Sequence, residues 1–261
     1  AVDAFQIPLE RIRIVQGDTD RANGFGSAAS RSLFTGGAAV SVASRKTVDD
    51  AKALAAEALE AGVADIDYAE GRYTIAGTDR GIGLFELAAR QAGGLIANQA
   101  SAKAEAASWP NACHVAEVEI DPATGAVQVV AYSSVNDIGR VINPLIATGQ
   151  IEGGAMQGIG QALQEAVRHD PATGQLLSAS FMDYTLPRAD DSVAFVTRFD
   201  ESVPCKTNVL GAKGVGELGT IGATPAVVNA VADALAHAGR AAATRTLQMP
   251  LTSEQLWRAL Q

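Results

Sequence analysis

Apolar and polar positions alternate along Leu9–Val15, where Ile12 and Ile14 stand between Arg11 and Arg13. A period of two predicts a half-buried strand there. A polar turn from Gly17 through Gly26 leads into a helical pattern from about Ser27 to Leu59, whose Ala-rich second half stops at Gly62. Between 63 and 100 the pattern shortens to strand-like pieces such as Tyr73-Thr74-Ile75 and a short helix around Leu84–Gln91, and 97–109 reads as a small, polar linker. Cys113–Ile120 and Ala126–Val135 flank Asp121-Pro122-Ala123-Thr124-Gly125, predicting a hairpin. Asn143-Pro144 supplies a cap and a first-turn proline for a helix toward Val167. A second Asp-Pro-Ala-Thr-Gly at 170–174 predicts a second hairpin. Thr224-Pro225 predicts the start of a helix ending near His237, and Thr252 with Gln255 the capping box of a last one.

Strands and helices mix without a βαβ rhythm, which predicts an α+β fold with mixed sheets and packed helices. The 261 residues suit one large domain or two small ones, and the polar linker sets candidate lobes at 1–105 and 106–261. The two identical turns have unlike flanks, so they read as one turn used twice rather than as a repeat. Gly149, Gly153, Gly154, Gly158 and Gly160 weaken the 144–167 helix unless another backbone packs closely on it.

Charge and composition narrow the function classes. Twenty Lys+Arg against 29 Asp+Glu leave a net charge of −9, which argues against nucleic-acid binding and against docking on an anionic membrane. No apolar run reads as a bilayer-spanning segment. The start Ala1-Val2-Asp3-Ala4 lacks an initiator Met and a signal core, as in a cut or processed chain. Cys113 and Cys205 cannot build a disulfide framework or a four-thiolate site, and a reducing, cytoplasmic setting is the default, with the periplasm open to a chain exported with a partner.

The segment Leu210–Pro225 holds five glycines around one carboxylate, Glu217. Gly214–Gly219 matches G-x-G-x-x-G, but a dinucleotide loop needs a preceding strand and an immediate helix, and the helix is expected only from Thr224. Lys213 is followed by Gly214, so the Walker pattern fails. Glycines let a backbone approach a ligand, and a carboxylate confined among them can serve as a general base; a solvated Glu in a turn is the equal alternative. Ser27-Ala28-Ala29-Ser30-Arg31-Ser32 offers hydroxyls and N–H groups at a helix start, an anion site or a plain cap. Gln157, among glycines, either faces a ligand or is a satisfied helix amide. His114, His169 and His237 lack ligand spacing, so no metal ligand is assigned.

Taken together these segments resemble the C-terminal half of the molybdenum-binding large subunit of the xanthine oxidase family, which includes xanthine dehydrogenases, aldehyde oxidoreductases and carbon monoxide dehydrogenases. The resemblance rests on Gly17–Asp20 with Gly26–Ser32, Trp109–Glu119, Asp137–Pro144, Gly149–Gly154, Asp183–Arg188 and Lys213–Glu217. It implies a molybdopterin-binding domain and a molybdenum-pyranopterin cofactor, as the cytosine dinucleotide. It implies hydroxylation of an aldehyde or N-heterocycle with oxygen from water, Glu217 matching the glutamate that acts as base beside the metal. Ser27, Ala28, Ala29, Ser30 and Ser32 match the loop around the pterin and its phosphates, Gln157 a cofactor-bonding glutamine, and Gly216 a glycine near the metal.

The resemblance also implies partners: an N-terminal half of the molybdenum subunit, and iron–sulfur and FAD subunits or domains. The isolated chain is then expected to be inactive, with a Gly-rich surface along Gly149–Gln161 buried only against the rest of the enzyme. A non-catalytic cofactor-binding or scaffold fragment is the alternative.

Overall fold

A computed structural model describes residues 1–21, 24, 26–191 and 193–261. The chain divides into two compact units, Ala1–Ala107 with Lys206–Leu210, and Ser108–Cys205 with Gly211–Gln261.

The first unit is built on a 22-residue helix. A short helix α1 (Val2–Phe5) precedes a π-helical turn Leu33–Gly37, which runs directly into α2 (Ala38–Leu59). Ser44, Val48, Ala51 and Ala55 recur at helical spacing and are buried. They face a three-stranded antiparallel meander of β1 (Ile66–Ala69), β2 (Arg72–Ile75) and β3 (Gly81–Gly83), closed by α3 (Leu84–Ala89). Tyr73 is fully buried among Ala51, Ile66, Ile82 and Leu87, and its hydroxyl donates to Val48 O at 3.0 Å. The aromatic ring thus fills the core while its polar tip is satisfied.

Three expectations fail in this unit. Leu9–Val15 is not a strand: Leu9–Arg11 forms a 3-10 turn, and Ile14 is 79% exposed. Alternation predicts burial only where a neighbouring strand pairs with the segment, and no described strand does. The long helix does not begin at Ser27. Positive φ at Ala29 (51°) and Ser30 (54°) turns the chain there, and helical structure starts at Leu33. The helix also ends before Gly62, with Glu60 itself in the left-handed region.

The second unit packs helices on one face of the sheet β4 (Asn111–Ile120), β5 (Val127–Asp137) and β6 (Phe195–Phe199). β4 and β5 form the expected hairpin, antiparallel with a bulge at Glu117/Val118, whereas β6 joins β5 in parallel. A parallel partner needs a crossover, and α4 (Pro144–Leu163) lies within it. Asn143 caps α4 through its side chain at 3.1 Å, with Pro144 in the first turn, as the sequence predicts. The core joins Val129 and Tyr132 of the sheet to Ala155 and Ile159 of α4 and to Ala223 and Val227 of α5 (Leu218–His237). A second cluster joins Val231 and Leu235 to Leu251 and to Leu256 of α6 (Ser253–Leu260).

Four further expectations need correction here. The α5 helix starts at Leu218, seven residues before Pro225, which lies inside it. An interior proline costs roughly 3 kcal/mol, and the buried stripe Gly219, Ala223, Val227, Val231 and Leu235 against α4 and β4 outweighs it. By length and composition α5 is also long and apolar enough to cross a membrane, contrary to the sequence reading, but that stripe is spent on the core of the unit. The second hairpin reduces to one isolated bridge, His169 to Leu176. Of the last capping box only half forms: Gln255 N–H donates to the Thr252 hydroxyl, while the Gln255 side chain accepts from Gln248 N–H.

Candidate functional site

The glycine loop before α5 is rooted on the end of β5. Lys213 Nζ lies 2.5 Å from Asp137 Oδ2, and Lys213 N–H donates to Ile138 O at 2.7 Å. Burial pushes the Asp137 carboxyl up, but hydrogen bonds from Lys213 and the Gly139 N–H more than offset it and hold it below the usual carboxylate range. Gly211 O accepts from both Arg140 N–H (2.8 Å) and Cys205 N–H (2.9 Å), and a Cβ on Gly139 would strike that same oxygen. Only a glycine at 139 therefore lets the two loops meet.

Beyond this root the chain turns straight into the helix. Glu217 is the N-cap residue of α5, its side chain makes no capping bond to the helix, and both it and Gly216 are exposed. The G-x-G-x-x-G run therefore does open a helix at once, contrary to the sequence argument. What rules out a dinucleotide loop is the segment before it: Ala212 makes one bridge to Gly139, and no strand leads in.

The first turns of α5 cross α4 at backbone contact. A Cβ on Gly154 would lie 3.1 Å from Gly219 Cα, and one on Gly158 2.8 Å from Ala223 Cβ. The α4 glycines do mark close packing, but the partner at Gly154 and Gly158 is α5 of the same chain, which corrects the expected outward surface. Gly149 and Gly153 have open space beside them. Thr220 Oγ1 lies 2.9 Å from Gly154 O and 3.2 Å from Gln157 Oε1, one hydroxyl proton shared between two acceptors. Gln157 is thus tied by its oxygen to the turn that follows Glu217. Glu217, Gly216 and Gln157 belong to this second unit.

The serine loop belongs to the first unit. Ala28 O accepts from Arg31 N–H at 3.3 Å, with Ala29 and Ser30 as central residues, both at positive φ. Such a backbone usually requires glycine or asparagine, and two consecutive non-glycine residues holding it mark a strained, shaped turn. It brings Ser27 Oγ within 2.5 Å of Ser32 Oγ. A cavity of about 760 Å³ opens beside it, lined by Gly24, Gly26, Arg31, Ser32, Thr35 and Gly36. Hydroxyls, glycine backbone and one guanidinium, with no carboxylate among the described lining residues, suit a phosphate-bearing anion. Arg31, Thr35 and Gly36 were not singled out from the sequence; the charge of Arg31 inside the serine run was the available signal. The five sequence-selected residues Ser27, Ala28, Ala29, Ser30 and Ser32 are contiguous, but only Ser32 lines this cavity. Among the described residues no group of three or more His, Cys, Asp or Glu could hold a metal ion.

The family model for the molybdopterin cofactor-binding domain matches residues 1–193. The chain belongs to that family. Subunit gamma of the 6-hydroxypseudooxynicotine dehydrogenase complex of Paenarthrobacter nicotinovorans is 36% identical over 266 residues, spanning 98% of this chain and 33% of the relative. Carbon monoxide dehydrogenase from Oligotropha carboxidovorans superposes with a TM-score of 0.86 at 32% identity, over 99% of this chain and 32% of that one. Quinoline 2-oxidoreductase from Pseudomonas putida 86 gives 0.83 at 33% identity, over 99% and 34%. The chain thus spans about a third of the length of these relatives. Its place in the xanthine oxidase family of molybdenum hydroxylases and its α+β fold stand on these matches.

Proposed function

We propose that this domain is part of a molybdenum-dependent hydroxylase that oxidises an N-heterocycle or an aldehyde with oxygen from water, and that Glu217 is its general base. The observation that carries the reading is the setting of Glu217. It sits at the mouth of a glycine loop, held by the Lys213–Asp137 pair on one side and the α4–α5 crossing on the other. Relatives named for quinoline and for 6-hydroxypseudooxynicotine favour the heterocyclic arm.

The molybdenum-pyranopterin, as its cytosine dinucleotide, supplies two-electron redox chemistry when bound. The chain's own residues do the rest. Ser27–Ser32, with the Arg31 guanidinium, grips the pterin and its phosphates through hydroxyls and N–H groups. Gln157, its oxygen engaged by Thr220, offers its amide N–H groups to the cofactor. Gly216 leaves space for close backbone approach. Glu217 takes a proton at its carboxylate as the oxygen is delivered to an electrophilic carbon. The N-terminal part of the molybdenum subunit completes the pocket, and iron–sulfur and FAD partners carry the electrons away in a cytoplasmic enzyme. The chain by itself is inactive, because a large cofactor needs donors on more than one side.

In the full-length enzyme, Glu217→Gln should retain fold and molybdenum, since the side chains are nearly isosteric. Turnover should fall about 10²–10⁴-fold, the usual worth of a general base. Steady-state rates normalised to molybdenum content test this, and near-normal turnover would remove Glu217 from the chemistry.

A further inference from the structure

The inner face of the second unit's sheet carries a polar line that the proposed chemistry does not use. Tyr132, Ser134 and Asn136 alternate along β5 and are buried, and His114 of β4 stands opposite Ser134 on the same face. The Tyr132 hydroxyl lies 2.7 Å from His114 Nδ1. Asn136 is fully buried, and its Nδ2 donates to Ser134 Oγ (2.9 Å) and to Arg198 O (3.1 Å). Those two bonds orient the amide, so its Oδ1 is an acceptor.

Two buried atoms in this line lack a partner of good geometry: His114 Nε2 and Asn136 Oδ1. They are complementary once the tautomer is assigned. If the Tyr132 hydroxyl donates to Nδ1, the ring proton sits on Nε2, and the Asn136 side chain is near enough to interact with the ring. That assignment runs Tyr132 O–H to His114 to Asn136 through a neutral imidazole.

The other side of the ring meets α5. A Cβ on Gly222 would lie 2.5 Å from His114 Cδ2 and 2.7 Å from Nε2. The imidazole therefore fills the notch that Gly222 leaves, in the second turn of the helix that Glu217 caps. We propose that His114 is a positioning residue for Glu217, its neutral ring wedged between β5 and the Gly222 notch so that it sets the opening turns of α5.

Protonation works against this seat. The groups facing the ring are Tyr132, Ser134 and Asn136 from β5 and Gly222 from α5, with Ala112 and Ala116 beside it on β4. None of them is charged; β6 contributes the Arg198 carbonyl to Asn136, while the Arg198 side chain is exposed, and the α4 carboxylate on this face, Glu152, accepts from Thr197 Oγ1 of β6 at 3.0 Å. Burial keeps the Tyr132 hydroxyl neutral and, outweighing the Asn136 side chain that favours a protonated ring, pushes His114 below the ordinary histidine range. A cation near the positive end of α5 is disfavoured as well. A histidine with a lowered folded pKa destabilises the seat as pH falls below its unfolded value, because the displaced ring binds the proton better.

The consequence for turnover rests on the reading of Glu217 as base; the structural consequence does not. In the full-length enzyme, hydrogen exchange corrected for intrinsic rates should show residues 221–224, the first amides bonded within the helix, losing protection below about pH 6, with the ordinary histidine near 6.5, while Val227–Leu235 stays protected. His114→Gln, which cannot charge, should abolish that pH dependence. Gly222→Ala should expose 221–224 at every pH and lower kcat by up to about 10²-fold, the effect of a misplacement near 1 Å, with KM and molybdenum content unchanged. An unaltered pH dependence in His114→Gln, or wild-type exchange and turnover in Gly222→Ala, would overturn the proposal. If Gly222→Ala fails to fold, the His114→Gln series decides alone. Loosened 221–224 in Gly222→Ala beside normal turnover in Glu217→Gln would sink the base and leave the positioning intact.

Discussion

Asp121–Gly125 and Asp170–Gly174 are the same five residues, and locally they fold the same way. Each aspartate side chain accepts the N–H two residues on, at 2.9 Å in both turns. Each closing glycine has positive φ, 72° and 74°, and donates to its aspartate carbonyl at 2.7 and 2.8 Å. Yet the first turn joins strands of 10 and 11 residues, and the second holds a single bridge. The difference lies outside the turn. Val118, Ile120 and Val127, around the first, pack on the helices. Around the second, Leu176 and Leu177 are 38% and 52% exposed. α6 also seats against the first turn, where a Cβ on Gly125 would reach 2.5 Å from Trp257 N and meet the Ser253 carbonyl, whereas Gly174 faces open space. A five-residue code makes a turn; buried flanks make a hairpin of it.

The largest break in this comparison is Gly125→Ala. It combines a left-handed backbone with overpacking against α6, and should cost about 3 kcal/mol from those two sources. Chemical denaturation should show it as a lower midpoint, with early loss of Trp257 packing. Gly174→Ala carries only the backbone penalty and should cost about 1 kcal/mol. Equal losses in the two variants would mean that α6 does not lean on the first turn as described.

The smallest effect is a titration. Hydrogen bonds from Thr124 and the Ala123 N–H lower the Asp121 pKa, and bonds from Thr173 and the Ala172 N–H lower that of Asp170. Such carboxylates stabilise their turns above the unfolded pKa, near 3.9, and lose that contribution as pH falls through the lower folded value. Amide NMR of Gly125 and Gly174 should show both midpoints below 3.9. The 170–174 turn should open on protonation, while its twin is held by the strands.

The candidate site divides in the same manner. Glu217 stood out in the sequence because five glycines frame it, and its placement at a helix start was missed because Thr224-Pro225 carried a stronger start signal than Leu218. Only packing against α4 and β4 explains why the helix tolerates Pro225. Gln157 was visible as an amide among glycines, but its bond to Thr220 depends on the crossing of two helices. The seat of His114 against Gly222 joins residues 108 positions apart, and no spacing rule links them.

What the sequence determined by itself was local: the Asp-Pro-Ala-Thr-Gly turns, the Asn143 cap, the α2 stripe and the β4–β5 alternation, each fixed by neighbours a few residues away. The ordered motifs also identified the family. Tertiary structure alone decided where α5 begins, which of two identical turns becomes a hairpin, that Leu9–Val15 stays out of any described sheet, and which partner fills the α4 glycines at 154 and 158. In each case the local preference is worth a few kcal/mol at most, and burial against a distant element outweighs it where such an element is present.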